Sequence, residues 1–538
     1  MRAMNDLPAL EAIRCTQQAI LDAGKSKPAR NALGQFATPT ALARDILNHA
    51  LSLFDPKEKV RFLDPAIGTG SFFSALLAEL GETASTRMAH ALGFEIDPHY
   101  GLPAQALWAE TSPRLDIQIQ DFTRQRAPTP AASSANLLIC NPPYVRHHHL
   151  GADTKARLQS LSAQAAGMAL SGLAGLYAHF MALAHPWMAP QAVACWLIPS
   201  EFMDVNYGRE VKRYLRERVT LLRIHRFDPN DAQFDDALVS SAVVWLRNAP
   251  PPPNHVVEFT EGGSHRMPRI QRNVALNELS DSIKWTRFPA HAAQPALLKA
   301  TEEPPRLKDF FDIRRGIATG DNAFFILPAD QVIALGLPWS QMKPILPGPR
   351  YLSDDRIEAN SAGHPLVSRS LFLVDCRLPE SLIEAQYPSL WAYLQSGREA
   401  MLKRYICSHR SPWYLQENRP PAPLLCTYMG RNDSDKARPF RFILNRSRAV
   451  VANTYLNLYP KPHVAQRLAE HPELLEALWS ALNRLSPAHL LTEGRVYGGG
   501  LHKIEPKELA QVAVEEIATL LHIDMAQDYD LFGQIQYT

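Results

Sequence analysis

Nine residues constrain this chain more than any others: Asn136-Leu137-Leu138-Ile139-Cys140-Asn141-Pro142-Pro143-Tyr144. Asn136 to Cys140 is rich enough in apolar, branched side chains to form a buried strand. The run stops at two prolines, which have no N–H to give to a sheet. Asn141 and Tyr144 must then sit on a stiff turn beyond the strand's carboxyl end, and in an open α/β sheet that is where ligands bind.

Asn-Pro-Pro also reads as a turn and nothing more. Its chemistry is more particular. Asn141 presents a side-chain carbonyl, Pro142 a backbone carbonyl and Tyr144 an aromatic face. Two acceptors beside a ring suit a planar base with an exocyclic amine, whose hydrogens they accept while the ring stacks.

The chain upstream repeats one arrangement. Residues 1 to about 30 read as a polar helical lead-in, with Leu10, Ile13, Ile20 and Leu21 at roughly helical spacing. Gly34-Gln35-Phe36-Ala37-Thr38-Pro39 follows, where Thr38 is expected to cap a helix with Pro39 at its first position. Val60 to Leu63 is a strand ending in Asp64-Pro65-Ala66-Ile67-Gly68-Thr69-Gly70, and Phe72 to Leu80 is a helix. Strand, glycine turn and helix open a nucleotide-binding βαβ unit, although Gly68-x-Gly70 alone also fits a plain turn. With Phe73 in place of the third glycine and no Gly-Lys-Ser/Thr, a pyrophosphate cradle is disfavoured. Ala91 to Phe94 is a second strand ending at Glu95-Ile96-Asp97, placed to receive a ribose diol. After a helix near Tyr100 to Glu110, Asp116 to Gln120 is a third strand ending at Asp121-Phe122. That carboxylate can accept from an adenine amine while the Phe covers the ring. Each acid alone also fits a solvated strand end; three in succession, followed by Asn141, argue for one pocket.

Taken together, Gln35-Phe36-x-Thr38-Pro39, the glycine loop, the three acids and Asn141-Pro142-Pro143-Tyr144 resemble, in family order, the gamma-class N6-adenine DNA methyltransferases of restriction-modification systems. The resemblance implies an α/β class I methyltransferase (Rossmann-like) domain with a mixed, mostly parallel sheet, then an α+β target-recognition domain. It implies an S-adenosylmethionine pocket drawn from Thr38, Asp64, Ala66, Gly68, Gly70, Glu95, Ile96, Asp121, Phe122, Asn141 and Pro143. Asn141, Pro142 and Tyr144 would be catalytic. Phe234, five residues before the strand Val239 to Leu246, would stack on a flipped adenine opposite Tyr144, although core is the other reading for an aromatic there. Double-stranded DNA is the implied substrate and a separate restriction endonuclease a candidate partner. Protein-glutamine or RNA methylation, and a non-catalytic DNA-binding subunit that keeps the fold, are the rival functions.

Met168 to Met188 is expected to be a buried helix, Ala192 to Ile198 an interior strand, and His147-His148-His149 a polar lid rather than a metal site. Four prolines, Pro250 to Pro253, suggest a linker. The expected layout is thus a lead-in over 1–30, a catalytic domain over 31–249, a linker over 250–255 and a recognition domain over 256–538. Ile313 to Asn322 and Tyr497 to Pro506 resemble stretches of the family's recognition domain; Gly316 and Gly320 fit either a phosphate-holding loop or a hairpin turn.

A chain of 538 residues with 46% hydrophobic content allows two or three domains, and a net charge of +2 places any nucleic-acid contact in a local patch. Residues 401 to 450 hold ten Lys and Arg against three acids, interleaved with Tyr405, Trp413, Tyr414, Tyr428, Phe440 and Phe442. Arg404, Arg410, Arg431, Arg438, Arg441 and Arg446, with Lys503, are therefore expected to touch DNA, against the plainer reading of a solvated face. Six cysteines without a Cys-x-x-Cys pair argue against zinc modules and disulfides, and the longest apolar run is too short to span a bilayer. A cytoplasmic protein with reduced thiols is expected.

Overall fold

The computed structural model describes residues 7–55, 57–129, 134–228, 240–280, 284–286, 288, 304–431, 438–497 and 501–521. The chain divides into two compact units, the first running to Leu297 and the second covering nearly all the remainder.

In the first unit the elements run α1 (Leu7–Ala23), α2 (Lys27–Leu33), α3 (Thr40–Ser52), β1 (Val60–Asp64), α4 (Ser71–Leu80), α5 (Ala84–Arg87), β2 (Met88–Glu95), α6 (Pro98–Trp108), β3 (Asp116–Ile119), β4 (Ala135–Cys140), α7 (Ala152–Ala166), α8 (Leu176–Ala184), β5 (Met188–Pro199), α9 (Arg209–Glu217), β6 (Thr220–Arg226), β7 (Ser241–Arg247), β8 (Val256–Ser264) and β9 (Met267–Ala275). The nine strands form one sheet in the order β3-β2-β1-β4-β5-β7-β6-β8-β9. Strands β1 to β5 are mutually parallel, and β7 runs antiparallel to both its neighbours, β5 and β6. The chain steps outward from β1 to β3 and then returns to β4 on β1's other side, so β1 and β4 flank the switch point of the sheet.

Every residue of β4 is buried, because both faces of the sheet are covered. Leu137 and Ile139 pack with Ile46 of α3, Leu76 of α4 and Trp108 of α6. Leu138 and Cys140 pack with Phe180 of α8 and Leu215 of α9 on the opposite side.

Four expectations change. Strands β8 and β9 lie beyond the proline stretch yet belong to the first sheet, so residues 250–255 are a turn within this unit rather than a boundary; β8 pairs with β6 and buries Val257 and Phe259. Thr38 caps nothing: helix α3 starts at Thr40 behind Pro39, with no side-chain cap. The helix expected over Met168 to Met188 is only α8, because Gly167 ends α7 in the left-handed region and Gly172 and Gly175 disfavour helix before Leu176. The strand near Val239 to Leu246 is not the last but an interior one, buried over Ser241 to Leu246.

The second unit holds a five-stranded sheet of β10 (Phe311–Arg315), β18 (Tyr455–Pro460), β15 (Leu424–Thr427), β17 (Phe442–Asn445) and β13 (Arg356–Ile357). Strands β11 (Ile326–Pro328), β14 (Leu371–Val374) and β12 (Met342–Ile345) make a second sheet, and β16 (Met429–Arg431) pairs with β20 (Leu501–Lys503). Helices at Pro462–Glu470 and Leu474–Arg484 pack on the larger sheet through Val464, Leu478 and Leu482. Gly316 N–H is spent on the Tyr455 carbonyl, so it is part of the sheet framework and not a phosphate loop. No helix among the described residues is long and apolar enough to cross a membrane.

Candidate active site at the switch point of the first sheet

The loop after β1 is shaped from within. Asp64 is 1% exposed, and its Oδ1 accepts the Ala66 N–H at 3.0 Å. Burial pushes its pKa up to about 7, with the Ala66 N–H and Cys140 offsetting only part of the rise. Gly68 and Gly70 both lie in the left-handed region, at φ 55° and 91°. A Cβ on Gly70 would stand 2.5 Å from Trp108 Nε1, which itself donates to the Thr69 carbonyl. Gly70 and Asp64 thus hold the loop's shape, while Gly68 and Ala66 face the cavity.

Glu95 closes this loop onto β2: its two oxygens accept the Gly68 N–H at 3.1 Å and the Asp97 N–H at 2.9 Å. Burial raises its pKa to about 7, and those two hydrogen bonds restrain the shift. At the end of β3, Asp121 Oδ1 accepts from Thr123 N and Oγ1, while Oδ2 faces Arg124 at 3.3 Å and Arg157 of α7 at 4.0 Å. Phe122 packs against Phe94 and Phe180, with ring centroids 5.4 and 5.5 Å away.

Asn141 is the most informative side chain. Its Nδ2 donates to the Phe36 carbonyl and to Thr38 Oγ1, each at 3.1 Å. A backbone carbonyl can only accept, so this contact fixes which end of the amide is nitrogen. Asn141 Oδ1 is buried and meets no donor among the described residues. The Tyr144 hydroxyl donates to the Leu197 carbonyl at 3.1 Å, which anchors its tip. Gly34 makes the close approach possible: at φ 65°, a Cβ there would lie 2.3 Å from Tyr144 N.

The lead-in helices, which carried no functional signal in the sequence, wall the same cavity through Gln18 and Asp22. Asp22 accepts from the Tyr100 hydroxyl at 2.8 Å, and Asp97 is held by Gln35 at 2.8 Å and by an ion pair with Lys25. Buried Arg14 of α1 donates to Glu11, to Thr69 Oγ1 at 3.2 Å and to Ser71 Oγ at 2.9 Å, which clamps α1 onto the glycine loop. Burial alone would raise the Glu11 pKa, but hydrogen bonds from Arg14, Ser74 and Thr40 hold it down to about 2.

The result is a cavity of about 320 Å³, large enough for a nucleoside-bearing cofactor. Ala66, Gly68, Glu95, Ile96, Asp121, Phe122, Asn141 and Pro143 line it. Asp64, Gly70, Thr38, Pro142 and Tyr144 are not among its lining residues. A diol can meet Glu95, an amine the Asp121 carboxylate, and a ring the Phe122 and Ile96 side chains. Burial and the neighbouring Asp64 carboxyl push the Cys140 thiol well up, as befits a core residue. Phe234 lies outside the described residues. His147 to His149 form one helical turn, and no group of metal-binding side chains occurs among the described residues.

The basic patch is reorganised. Trp413, Tyr414, Tyr428, Phe440 and Phe442 are buried in the second unit's cores, and of the six aromatics only Tyr405 is exposed. Arg404 pairs with Asp321, Arg441 with Asp355, Arg446 with Glu476 and Lys503 with Glu505, while Arg410 donates to the Ala318 and Thr319 carbonyls. Arg438 is exposed, and the Arg431 side chain lies outside the described set.

A solved structure, the type IIL restriction-modification enzyme MmeI in complex with DNA, matches 92% of this chain and 74% of its own with a TM-score of 0.50 and 13% identity. That likeness, with β7 reversed between β5 and β6 in a mostly parallel sheet, makes this an α/β methyltransferase fold. Residues 106–234 match the Eco57I restriction-modification methylase family, and residues 282–533 match the C-terminal domain of the type II methyltransferase M.Eco57I. The chain is 28% identical over 504 residues to the type II methyltransferase M.XamI of Xanthomonas campestris pv. amaranthicola, covering 90% of this chain and 86% of that one. It is 23% identical over 533 residues to M.AccI of Acinetobacter calcoaceticus, covering 94% and 90%. The chain belongs to the type II restriction-modification DNA methyltransferases.

Proposed function

We propose that this methyltransferase moves the methyl group of S-adenosylmethionine to the N6 amine of an adenine flipped out of duplex DNA. The observation that carries the reading is the buried Asn141 Oδ1, which meets no donor among the described residues, beside the cofactor-sized cavity. An unsatisfied buried acceptor costs about 1–3 kcal/mol, and an exocyclic amine relieves it.

An aniline-like nitrogen is a poor nucleophile because its lone pair is delocalised into the ring. Asn141 Oδ1 and the Pro142 carbonyl accept the two N6 hydrogens, which returns electron density to nitrogen and orients the lone pair. Thr38 and the Phe36 carbonyl hold the Asn141 amide so that its oxygen faces the base. Glu95 takes the ribose hydroxyls, while Asp121 and Phe122 take the cofactor's adenine. S-adenosylmethionine supplies, when bound, an electrophilic methyl on a sulfonium. Asn141 and Pro142 would hold N6 in line with that methyl; with the methyl given up, the cofactor would leave as the neutral thioether S-adenosylhomocysteine and the surplus N6 proton would pass to solvent water. Flipping costs about a few kcal/mol, offset by stacking on the Tyr144 ring and, as proposed from the sequence alone, on Phe234. The second unit acts in target recognition, and a separate restriction endonuclease completes the system.

The test is methylation-aware sequencing of DNA from a host expressing the protein. N6-methyladenine should appear at one sequence and vanish with Asn141→Ala. Unmodified adenine throughout, with methylated RNA or protein glutamine instead, would overturn the reading.

A further inference from the structure

The second unit contains a cavity of about 750 Å³, floored by apolar side chains such as Ile326, Leu346 and Leu371. Among the described residues its charged lining is Arg350 and Arg369 alone. Both are exposed, and neither forms an ion pair among the described residues. Both guanidinium groups nevertheless lie over one ring, Tyr351, at 4.5 and 4.6 Å from its centroid. Tyr351 is itself 44% exposed at the cavity's edge. Beside it Arg315 lies 4.0 Å over the ring of Tyr428, another lining residue.

Two like charges gathered on one exposed ring repel each other, and exposed cation–π contacts offset little of that cost. A polyanion resolves the arrangement: guanidinium groups take phosphates, and the tyrosine and apolar floor take a planar or deoxyribose surface. The arginines of the 401 to 450 stretch contrast with these, since Arg404, Arg441 and Arg446 are neutralised by acids of their own chain.

We infer that the Arg350–Tyr351–Arg369 groove is a surface on which this protein holds duplex DNA, with phosphates on the two arginines and a base or sugar face on Tyr351. The inference rests on the proposed DNA-methylating function and names the residues through which the second unit would serve it.

Full-length protein is titrated into a fluorescein-labelled pool of random-sequence duplexes at several salt concentrations, with anisotropy as the readout. Arg350→Ala with Arg369→Ala should weaken binding at least tenfold and make the log–log salt slope shallower by about one per arginine. Calorimetric affinity for S-adenosylhomocysteine and the melting temperature should stay unchanged, which shows the fold is kept. Tyr351→Phe should bind as wild type does, and Tyr351→Ala should lose affinity. If the wild type binds and methylates DNA while the double variant binds within twofold at an unchanged salt slope, the groove assignment falls alone; a site for an acidic protein would give that result. If the wild type neither binds duplexes nor methylates adenine, the parent function falls and takes this inference with it.

Discussion

Asn141 Nδ2 donates to Thr38 Oγ1 at 3.1 Å, across 103 residues of sequence. The bond joins the turn after β4 to the stretch before α3 and, together with the Phe36 carbonyl that orients the amide, holds the Asn141 side chain in place. Thr38→Val should leave that N–H short of one acceptor at a cost of about 1–3 kcal/mol and lower kcat about tenfold. Thr38→Ser should retain most of the rate. Single-turnover methylation with both variants checks this; equal rates for Thr38→Val and wild type would remove Thr38 from the site.

Glu95 gives the site a pH dependence. Burial raises its pKa from 4.5 to about 7, so the ionised form, which in the proposed pocket would accept the ribose hydroxyls, dominates only above that value. Cofactor affinity should therefore rise between pH 6 and 8, by up to about tenfold per unit on the acid side. Asp64 titrates near the same pH but stands behind the wall, so Glu95→Gln separates the two. That variant should bind more weakly and show a flat profile. A flat wild-type profile by calorimetry would refute the assignment.

Glu11 should make the fold acid-sensitive. Its pKa in the folded chain is about 2 against an ordinary 4.5, so it stabilises the native state fully above pH 4.5 and loses that contribution as pH falls toward 2. The difference amounts to about 3 kcal/mol. Urea midpoints should drop across that window in the wild type, whereas Glu11→Gln should be destabilised at pH 7 already and respond less to acid.

Two glycines should respond differently to the same substitution. Gly34→Ala meets left-handed backbone strain of about 1–2 kcal/mol and drives a Cβ into Tyr144 N, so both stability and methylation should fall. Gly68→Ala carries the strain, but no atom lies within 4 Å of its Cβ. Thermal melts should therefore show the larger loss for Gly34→Ala. Equal losses would mean that the contact with the Tyr144 turn has no energetic weight.

Strands β1 to β4 were legible because each ends at a residue that apolar periodicity alone would not place there: Asp64, Glu95, Asp121 and Asn141. Helix α1 was legible as a helix but not as part of the site. Its periodicity shows an apolar stripe, whereas its value lies in Arg14, Gln18 and Asp22, which reach Thr69 and Tyr100, 51 to 78 residues away in sequence. The basic stretch is less basic in the fold than in the sequence for a related reason. A charge count over 401 to 450 omits Asp321, Asp355 and Glu476, which fold back onto it from outside the window. Its aromatics include Phe440 and Phe442, which face the core of the larger sheet rather than a solvent loop. Arg350, Tyr351 and Arg369 sit in no dense basic run, so only the folded chain brings them together.

The β8–β9 hairpin also bears on how such chains can be recombined. Removing everything after the four prolines would strip β8 from β6 and bare a row of unpaired backbone groups along a strand buried almost throughout. An exposed edge of that kind recruits other chains and aggregates. A fragment ending near Ala249 should therefore be insoluble, whereas one that keeps β9 and the Trp285 packed beneath β8 retains a covered sheet. Any exchange of second units between relatives, natural or engineered, should place its crossover point after that hairpin and not at the prolines.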